Sequence, residues 1–350
     1  MTGSVGADED DFLEAHGADL RFRRIPSLQR EINARRDAES LARVAHYIRG
    51  FKPDVIHTHT AKAGVIGRTA AIVSRSKAVR VHTFHGHLLH GYFSDRETKG
   101  IIEVERRLAR HSHRLIAVGD QVKQDLLMEG IGWEYQYSVV PPGLSLDPLP
   151  DPHETRQALS IPPNAHVISF IGRLAPIKRI DRLVEAIRLV ASQSPNTVFV
   201  IAGDGSEMPL LVSARDTDGL PIVLLGWQAR VEPILAISDL MVLTSDNEGT
   251  PVSLIQAGLA GVPVVASDVG SVSDVVVNGS SGSLVDPDAA ALSKEILTLL
   301  ADEERRFSMA TFSLQHYPTK YGAQVLVDSH LAIYDELLVD QTRFRRHRSW

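Results

Sequence analysis

The stretch Ser245–Ser267, SDNEGTPVSLIQAGLAGVPVVAS, decides how the rest of the chain is read. It carries a loop with Glu248, a helix opened by Thr250 and Pro251, a second turn at Gly261, and a buried apolar strand from Pro263 to Ala266. Proline is tolerated at the first helical position and threonine is a good N-cap, so this spacing leaves the backbone amides of Val252 and Ser253 free at a positive helix end. Such an end attracts anions. A carboxylate just ahead of it suits the same ligand only as an acceptor for hydroxyl groups, and phosphate plus hydroxyls describes a sugar nucleotide. The same residues also fit an ordinary αβ connection with a solvated Glu248.

Working outward, strand patterns alternate with helix patterns on both sides of this stretch. Downstream of a proline-dense segment, LDPLPDPHETRQALSIPPNA (146–165), read as a linker, come HVISFIG (strand), IDRLVEAIRLVASQ (helix), TVFVIAG (strand), GSEMPLLVSAR (helix), IVLLG (strand), ARVEPILAIS (helix), DLMVLTS (strand) and, after the stretch itself, GSLVDP. Upstream, a short strand pattern over Asp19–Ile25 precedes an amphipathic helix at about 37–50, the strand Val55–Thr58, the small-residue helix AKAGVIGRTAAIVSR, and AVRVHTFHG, a strand that turns at Gly86. The helix ending in ERRLARHSHR, the strand RLIAVG, the helix DQVKQDLLMEGI and the segment YSVVPPGL complete that half. Alternation of this kind means parallel βα units, here two doubly wound sheets in tandem with ligands at the carboxyl ends of the strands, and a cleft between the two is the natural place for a site. A last helix is expected from about Lys320 to Leu338, before a basic tail, RFRRHRSW.

Length and composition agree. The 350 residues suit two domains, and 43% hydrophobic with 23% charged residues is globular. A net charge of -6 argues against a nucleic-acid protein. The chain has no Cys, hence no disulfide and no thiolate chemistry, and this fits a cytoplasmic setting. Apolar runs are too short to span a bilayer, and the acidic start MTGSVGADEDDF lacks the apolar core of a signal peptide. The runs RFRRIPSLQREINARR and ERRLARHSHR read as solvated faces, with contact to an anionic membrane surface as a second reading.

Three constellations carry candidate chemistry. In FIGRLAPIKRID, Arg173 and Lys178 follow a buried strand and the Gly172 turn; a fork and a point charge there suit a diphosphate, although basic pairs in βα loops are also common on plain surfaces. AGDGSE places Gly203 and Gly205 where a strand meets a helix, without the third glycine of a dinucleotide fingerprint, and turn chemistry explains it equally well. Histidines group at His57 and His59, then His82, His85, His87 and His90. On a strand, positions two apart share a face, so His57 and His59 converge on one site and His85 with His87 on another. With no HExxH helix and no Cys, hydrogen bonding to a sugar or phosphate is favoured over a metal.

With GRLAPIK, AGDGSE, LLGW, SDNEGTPVSLIQAGLAGVPVVASDVGSVSDVV and GSLVDP in this order and spacing, the chain resembles glycosyltransferase family 4, and HTHTAKAGVIGR and VHTFHGHLLHGYFS resemble the acceptor-side half of the same family. The resemblance covers nearly the whole chain. It implies an α/β GT-B fold, two Rossmann-like parallel-sheet domains facing across a cleft. The expected division is an acceptor-side domain at 1–148, a donor domain at 149–318, and a C-terminal helix at 319–350 returning to the first. It further implies that Arg173 and Lys178, with the amides of Val252 and Ser253, bind the donor diphosphate. Glu248 would contact the transferred sugar, Gly249, Thr250 and Gln256 would hold sugar and ribose, and Gly203, Gly205 and Trp227 would border the base. His85 is the match for a histidine that approaches the donor sugar.

By the same resemblance the enzyme is a retaining hexosyltransferase of polysaccharide or glycolipid biosynthesis. Its co-substrate is a UDP- or GDP-linked sugar, its acceptor a lipid-linked, saccharide or small-molecule hydroxyl, and it uses no metal or other cofactor. Two departures stand out. Gln256 occupies a position where the family has a second glutamate that grips the ribose. The chain also starts at the segment matching Phe12–Ile25, so the first βαβ unit of the N-terminal domain is expected to be missing. These departures keep open a non-catalytic nucleotide-sugar-binding remnant and, third, a GT-B sugar-nucleotide epimerase.

Overall fold

The computed structural model describes residues 1–4, 13, 20–29, 31–86 and 95–347; His87, His90 and the end of the basic tail lie outside them. The chain divides into two compact units, one made of 1–118, 122–140 and 330–350, the other of 119–121 and 141–329.

The first unit contains α1 (Ala34–Phe51), β1 (Val55–His59), α2 (Ala61–Val73), β2 (Val79–Phe84), α3 (Asp95–Ala109), β3 (Arg114–Ala117), all of α4 (Asp120–Met128) but its first two residues, and β4 (Tyr137–Val139). Its four strands are parallel and run in chain order β1-β2-β3-β4. α2 is small-residue-rich because it lies flat on the sheet. A Cβ on Gly64 would stand 2.4 Å from His82 Cε1, and one on Gly67 2.6 Å from Thr58 Cγ2. The same close approach buries Arg68 to 1% exposure, where its Nη2 donates to both oxygens of Glu105 at 2.7 Å. Burial pulls the Arg68 pKa down and pushes that of Glu105 up, each opposed by the partner's charge. The Asp19–Ile25 strand is not formed over its described residues. Only Arg24 makes a bridge, to Thr2, while Ile25 is buried against α1 and α2.

The second unit contains α5 (Pro152–Ala158), β5 (His166–Ile171), α6 (Ile180–Gln193), β6 (Thr197–Ala202), α7 (Met208–Asp216), β7 (Ile222–Gly226), α8 (Glu232–Ile237), β8 (Leu240–Leu243), α9 (Val252–Leu259), β9 (Val264–Ser267), α10 (Val272–Val275), β10 (Gly282–Val285), α11 (Ala289–Ala301) and α12 (Glu303–Tyr321); α13 (Ala323–His347) begins here. Its strands read as near-continuous apolar runs because they are covered on both faces, as in Ile168, Phe170, Phe199, Ile201, Leu240 and Val242. Each such side chain contributes about 1.5–3 kcal/mol on burial.

The strand order is β10-β9-β8-β5-β6-β7, all parallel. It runs one way from β5 through β6 to β7 and the other way from β8 through β9 to β10. This is the doubly wound Rossmann order, with its switch point between β5 and β8.

The second unit departs from expectation near its two ends. The proline-dense segment 146–165 is not all linker, because Pro152 sits in the first turn of α5 and Asp151 caps it by accepting from the His153 amide at 2.8 Å. The last helix, expected from about Lys320 to Leu338, is α13, and a further helix the sequence did not mark, α12, precedes it; α12 is capped by Asp302 and ends at Gly322, where Leu144 inserts, donating to the Tyr321 carbonyl at 2.8 Å and accepting from the Ala323 amide at 3.0 Å.

Candidate functional site

At the switch point the loop after β5 and the loop after β8 face each other, and hydrogen bonds zip them together. Thr244 Oγ1 donates to the Lys178 carbonyl at 2.7 Å, and the Asp246 amide donates to the Ile177 carbonyl at 2.9 Å. Pro176 starts a single 3₁₀ turn, Pro176–Lys178, which aims Lys178 back across Gly172. The Lys178 Cε stands 3.9 Å from where a Cβ on Gly172 would be. The turn closes on Arg179 at φ +53, a left-handed conformation that a side chain adopts at a cost. Bonds to Asp181 and Asp246 hold it there. Burial pushes the Asp246 carboxyl up, but hydrogen bonds and charge from Arg182 and Arg179 outweigh it and hold it below the usual range.

The result is a pair formed by two residues 70 positions apart. Lys178 Nζ donates to Glu248 Oε1 at 2.5 Å, with the two side chains 18% and 11% exposed. Ser245 Oγ donates to the same oxygen at 2.5 Å, which leaves Glu248 Oε2 without a partner among the described residues. The backbone of Glu248 is pinned from behind. Its carbonyl accepts from the Ser271 amide at 3.0 Å, and Gly270 at φ +52 packs so closely that a Cβ there would lie 2.3 Å from that carbonyl oxygen.

α9 corrects the reading of its own start. Pro251, not Thr250, is the N-cap, and no side chain caps the helix. The Leu254 and Ile255 amides both turn to the Pro251 carbonyl, so those of Val252 and Ser253 have no acceptor among the described residues. The free amides expected from the sequence are therefore present, for a different reason. Gly249, Thr250 and Gln256 are half-buried along the same loop and helix. Arg173 is exposed and makes no ion pair among the described residues.

Gly203 and Gly205 serve the β5 loop by letting it come close. A Cβ on Gly203 would be 1.8 Å from the Gly172 carbonyl oxygen, and one on Gly205 2.3 Å from that of Leu174. The Gly203 amide donates to the Gly226 carbonyl at 2.8 Å, next to Trp227, which is 61% exposed. The partners that reasoning from sequence did not single out are Thr244, Ser245, Asp246, Gly270 and Ser271. A hydroxyl three residues before Glu248 was the available signal for Ser245.

In the first unit His57, His59 and His85 come together at the carboxyl ends of β1 and β2, with His330 and Tyr334 of α13 beside them. His57 and His59 do share a face, their ring centroids 4.2 Å apart. His85 joins them through a 2.9 Å contact between its Nε2 and His59 Nδ1. The pairing of His85 with His87 falls outside the described residues. Burial first, then the neighbouring imidazoles, lowers the pKa of His57 to about 3 and of His59 to about 4; burial and His330 lower that of His85. His82 is buried beneath, Nδ1 on Thr58 Oγ1 at 2.9 Å. Among the described residues no group of three or more His, Asp or Glu side chains is arranged to hold a metal ion, and no helix is long and apolar enough to cross a membrane.

Residues 151–315 match the family model described as Glycosyl transferases group 1, and residues 4–143 match the Glycosyl transferase 4-like domain. The chain is 30% identical over 275 residues to the UDP-Gal:alpha-D-GlcNAc-diphosphoundecaprenol alpha-1,3-galactosyltransferase of Escherichia coli, covering 75% of this chain and 70% of that one. It is 22% identical over 344 residues to the capsular polysaccharide biosynthesis glycosyltransferase CapM of Staphylococcus aureus, covering 91% and 86%. Among solved structures, Anabaena Alr3699/HepE in complex with UDP is similar at a TM-score of 0.76 and 23% identity, over 85% of this chain and 82% of that one.

Proposed function

This chain belongs to the group 1 glycosyltransferases of family 4 type, enzymes of GT-B architecture, and on that premise we propose that it moves a hexose-type sugar from a nucleoside-diphosphate sugar to a hydroxyl acceptor with retention of configuration. The observation that carries the reading is the Lys178–Glu248 pair at the switch point, flanked by the unpaired Arg173 and the free amides of α9. Lys178 has three N–H donors, so it keeps Glu248 in place while donating to the donor's phosphate oxygens. Arg173 and the amides of Val252 and Ser253 add positive potential where the leaving diphosphate gains charge, the task a divalent ion performs elsewhere. Glu248 Oε2 accepts from hydroxyls of the transferred sugar, and Gln256 holds the ribose.

In the reaction the bond from the sugar's anomeric carbon to the diphosphate oxygen breaks with its electron pair leaving on the diphosphate. The acceptor oxygen bonds to the same face, and its proton passes to the departing phosphate oxygen. His85 lies beside the donor sugar in this scheme. UDP is the first nucleotide to try, since the HepE structure holds it. A lipid-linked saccharide is the first acceptor class, since the E. coli relative is named for one. The setting is the cytoplasm, at the inner face of the membrane when the acceptor is a lipid.

The test is thermal unfolding with UDP and GDP. Nucleotide at 100 times its dissociation constant should stabilise the protein by about 2.7 kcal/mol. Lys178→Ala should abolish the shift. No stabilisation by any nucleotide, or a shift untouched by Lys178→Ala, refutes the reading. The neutral Gln256 favours one rival, a protein that binds the nucleotide sugar without turning it over; transfer or hydrolysis of labelled UDP-hexose excludes it.

A further inference from the structure

The histidines of the first unit form a stack that ends on His85, the member placed beside the donor sugar in the proposed reaction. β1 and β2 are parallel neighbours with His59 opposite Thr83, so β1 ends and β2 runs on to His85 side by side. His57 is locked at both ring nitrogens, Nδ1 to Tyr334 Oη at 2.6 Å and Nε2 to Thr83 Oγ1 at 2.7 Å. His59 stacks on this fixed ring at 4.2 Å and turns Nδ1 to His85 Nε2. His85 Nδ1 and His59 Nε2 have no partner among the described residues.

We propose that His59 is a positioning residue for His85: the Nδ1–Nε2 hydrogen bond orients the His85 imidazole and selects which of its nitrogens carries the proton. This rests on the reading that places His85 beside the donor sugar. Two neutral imidazoles in nitrogen-to-nitrogen contact share one proton between the touching atoms, so one ring donates and the other accepts. Fixing that proton fixes the state of the outer nitrogen, Nδ1 of His85, as a donor or an acceptor toward a sugar hydroxyl. Without the contact both tautomers are populated and a share of the rings presents the wrong group.

The surroundings keep the pair neutral. Among the described residues the titratable and charged groups around it are His57 from β1, His82 within β2, Arg68 from α2 behind His82, and His330 with Tyr334 from α13. All are neutral or cationic, so a proton added to the pair finds no counter-charge among them. Its burial and these neighbours hold both rings uncharged at neutral pH.

The experiment labels the histidines of the full chain with 15N and reads the tautomer and titration of His85 by two-bond 15N–1H correlation in the wild type, His59→Ala and His59→Asn. The wild type should show one tautomer and a pKa below 6.5. His59→Ala should show a mixture of tautomers. His59→Asn, whose side-chain amide reaches the place of Nδ1, should restore a single tautomer. With labelled UDP-hexose, His59→Ala should lower kcat about tenfold with an unchanged UDP melting shift, and His59→Asn should recover most of it. If His59→Ala does not fold, His59→Asn decides alone: a mixed tautomer there overturns the proposal. An unchanged His85 tautomer in His59→Ala overturns it as well. Full activity in His85→Ala would instead refute the placement of His85 at the donor sugar, and the two failures are told apart.

Discussion

Taking the protein from pH 8 to pH 5 should cost the first unit about 2 kcal/mol of folding free energy through His57 and His59. In the unfolded chain both titrate near 6.5, whereas in the fold burial and mutual repulsion lower them to about 3 and about 4. The folded state therefore binds fewer protons. The stability tied to these rings is fully present above 6.5 and is lost as the pH falls through the window down to about 3. At pH 5 full linkage gives about 2 kcal/mol for each ring, or about 4 kcal/mol together. Both rings are partly exposed, and solvent screening reduces this to roughly half. The assay is urea unfolding followed by circular dichroism at pH 8 and pH 5, fitted with one transition per unit, for the wild type and a His57→Gln, His59→Asn double variant. The double variant starts less stable, but its loss between the two pH values should be smaller by about 2 kcal/mol. Parallel pH dependences in the two proteins would refute the reasoning.

Two further outcomes follow from the second unit. Gln256→Glu should tighten UDP-sugar binding several-fold, because a charged acceptor adds about 1 kcal/mol to a ribose hydrogen bond; calorimetric titration with no gain would remove Gln256 from the ribose. Gly203→Ala places a Cβ 1.8 Å from the Gly172 carbonyl oxygen, a backbone atom that cannot step aside without moving the Arg173–Lys178 loop. It should destabilise the unit by about 2 kcal/mol or more and abolish the UDP melting shift, whereas Gly219→Ala, which meets nothing within 4 Å, should cost only about 1 kcal/mol and keep it.

Much of this protein was legible in the chain itself. Alternating apolar runs and amphipathic segments depend on local sequence alone, and they produced the βα units, the two parallel sheets and the loop–helix–strand reading of Ser245–Ser267. The pattern over Asp19–Ile25 predicts a strand that does not form, because an alternating pattern needs a neighbour with which to pair, and only Arg24 has one. The helix over Pro152–Ala158 is hidden in the sequence because proline density masks the case in which a proline opens a helix. Thr250 is the local choice for a cap that Pro251 holds, a one-residue difference that local preference does not resolve.

The site follows the same division. Arg173, Lys178, Glu248 and the α9 amides were each marked by residue type next to a strand end, but nothing local joins Lys178 to Glu248. Their meeting depends on β5 and β8 lying side by side, which strand order alone decides. Ser245 on the same carboxylate, Gly203 beneath Gly172, the buried Arg68–Glu105 pair and the His57–His59–His85 stack likewise needed the fold. Sequence determined which segments are strands and helices, because hydrophobic burial acts on period and composition. Tertiary structure decided which of their ends meet, because hydrogen bonds and ion pairs act only across a few ångströms, a distance set by how the strands are ordered in the sheet.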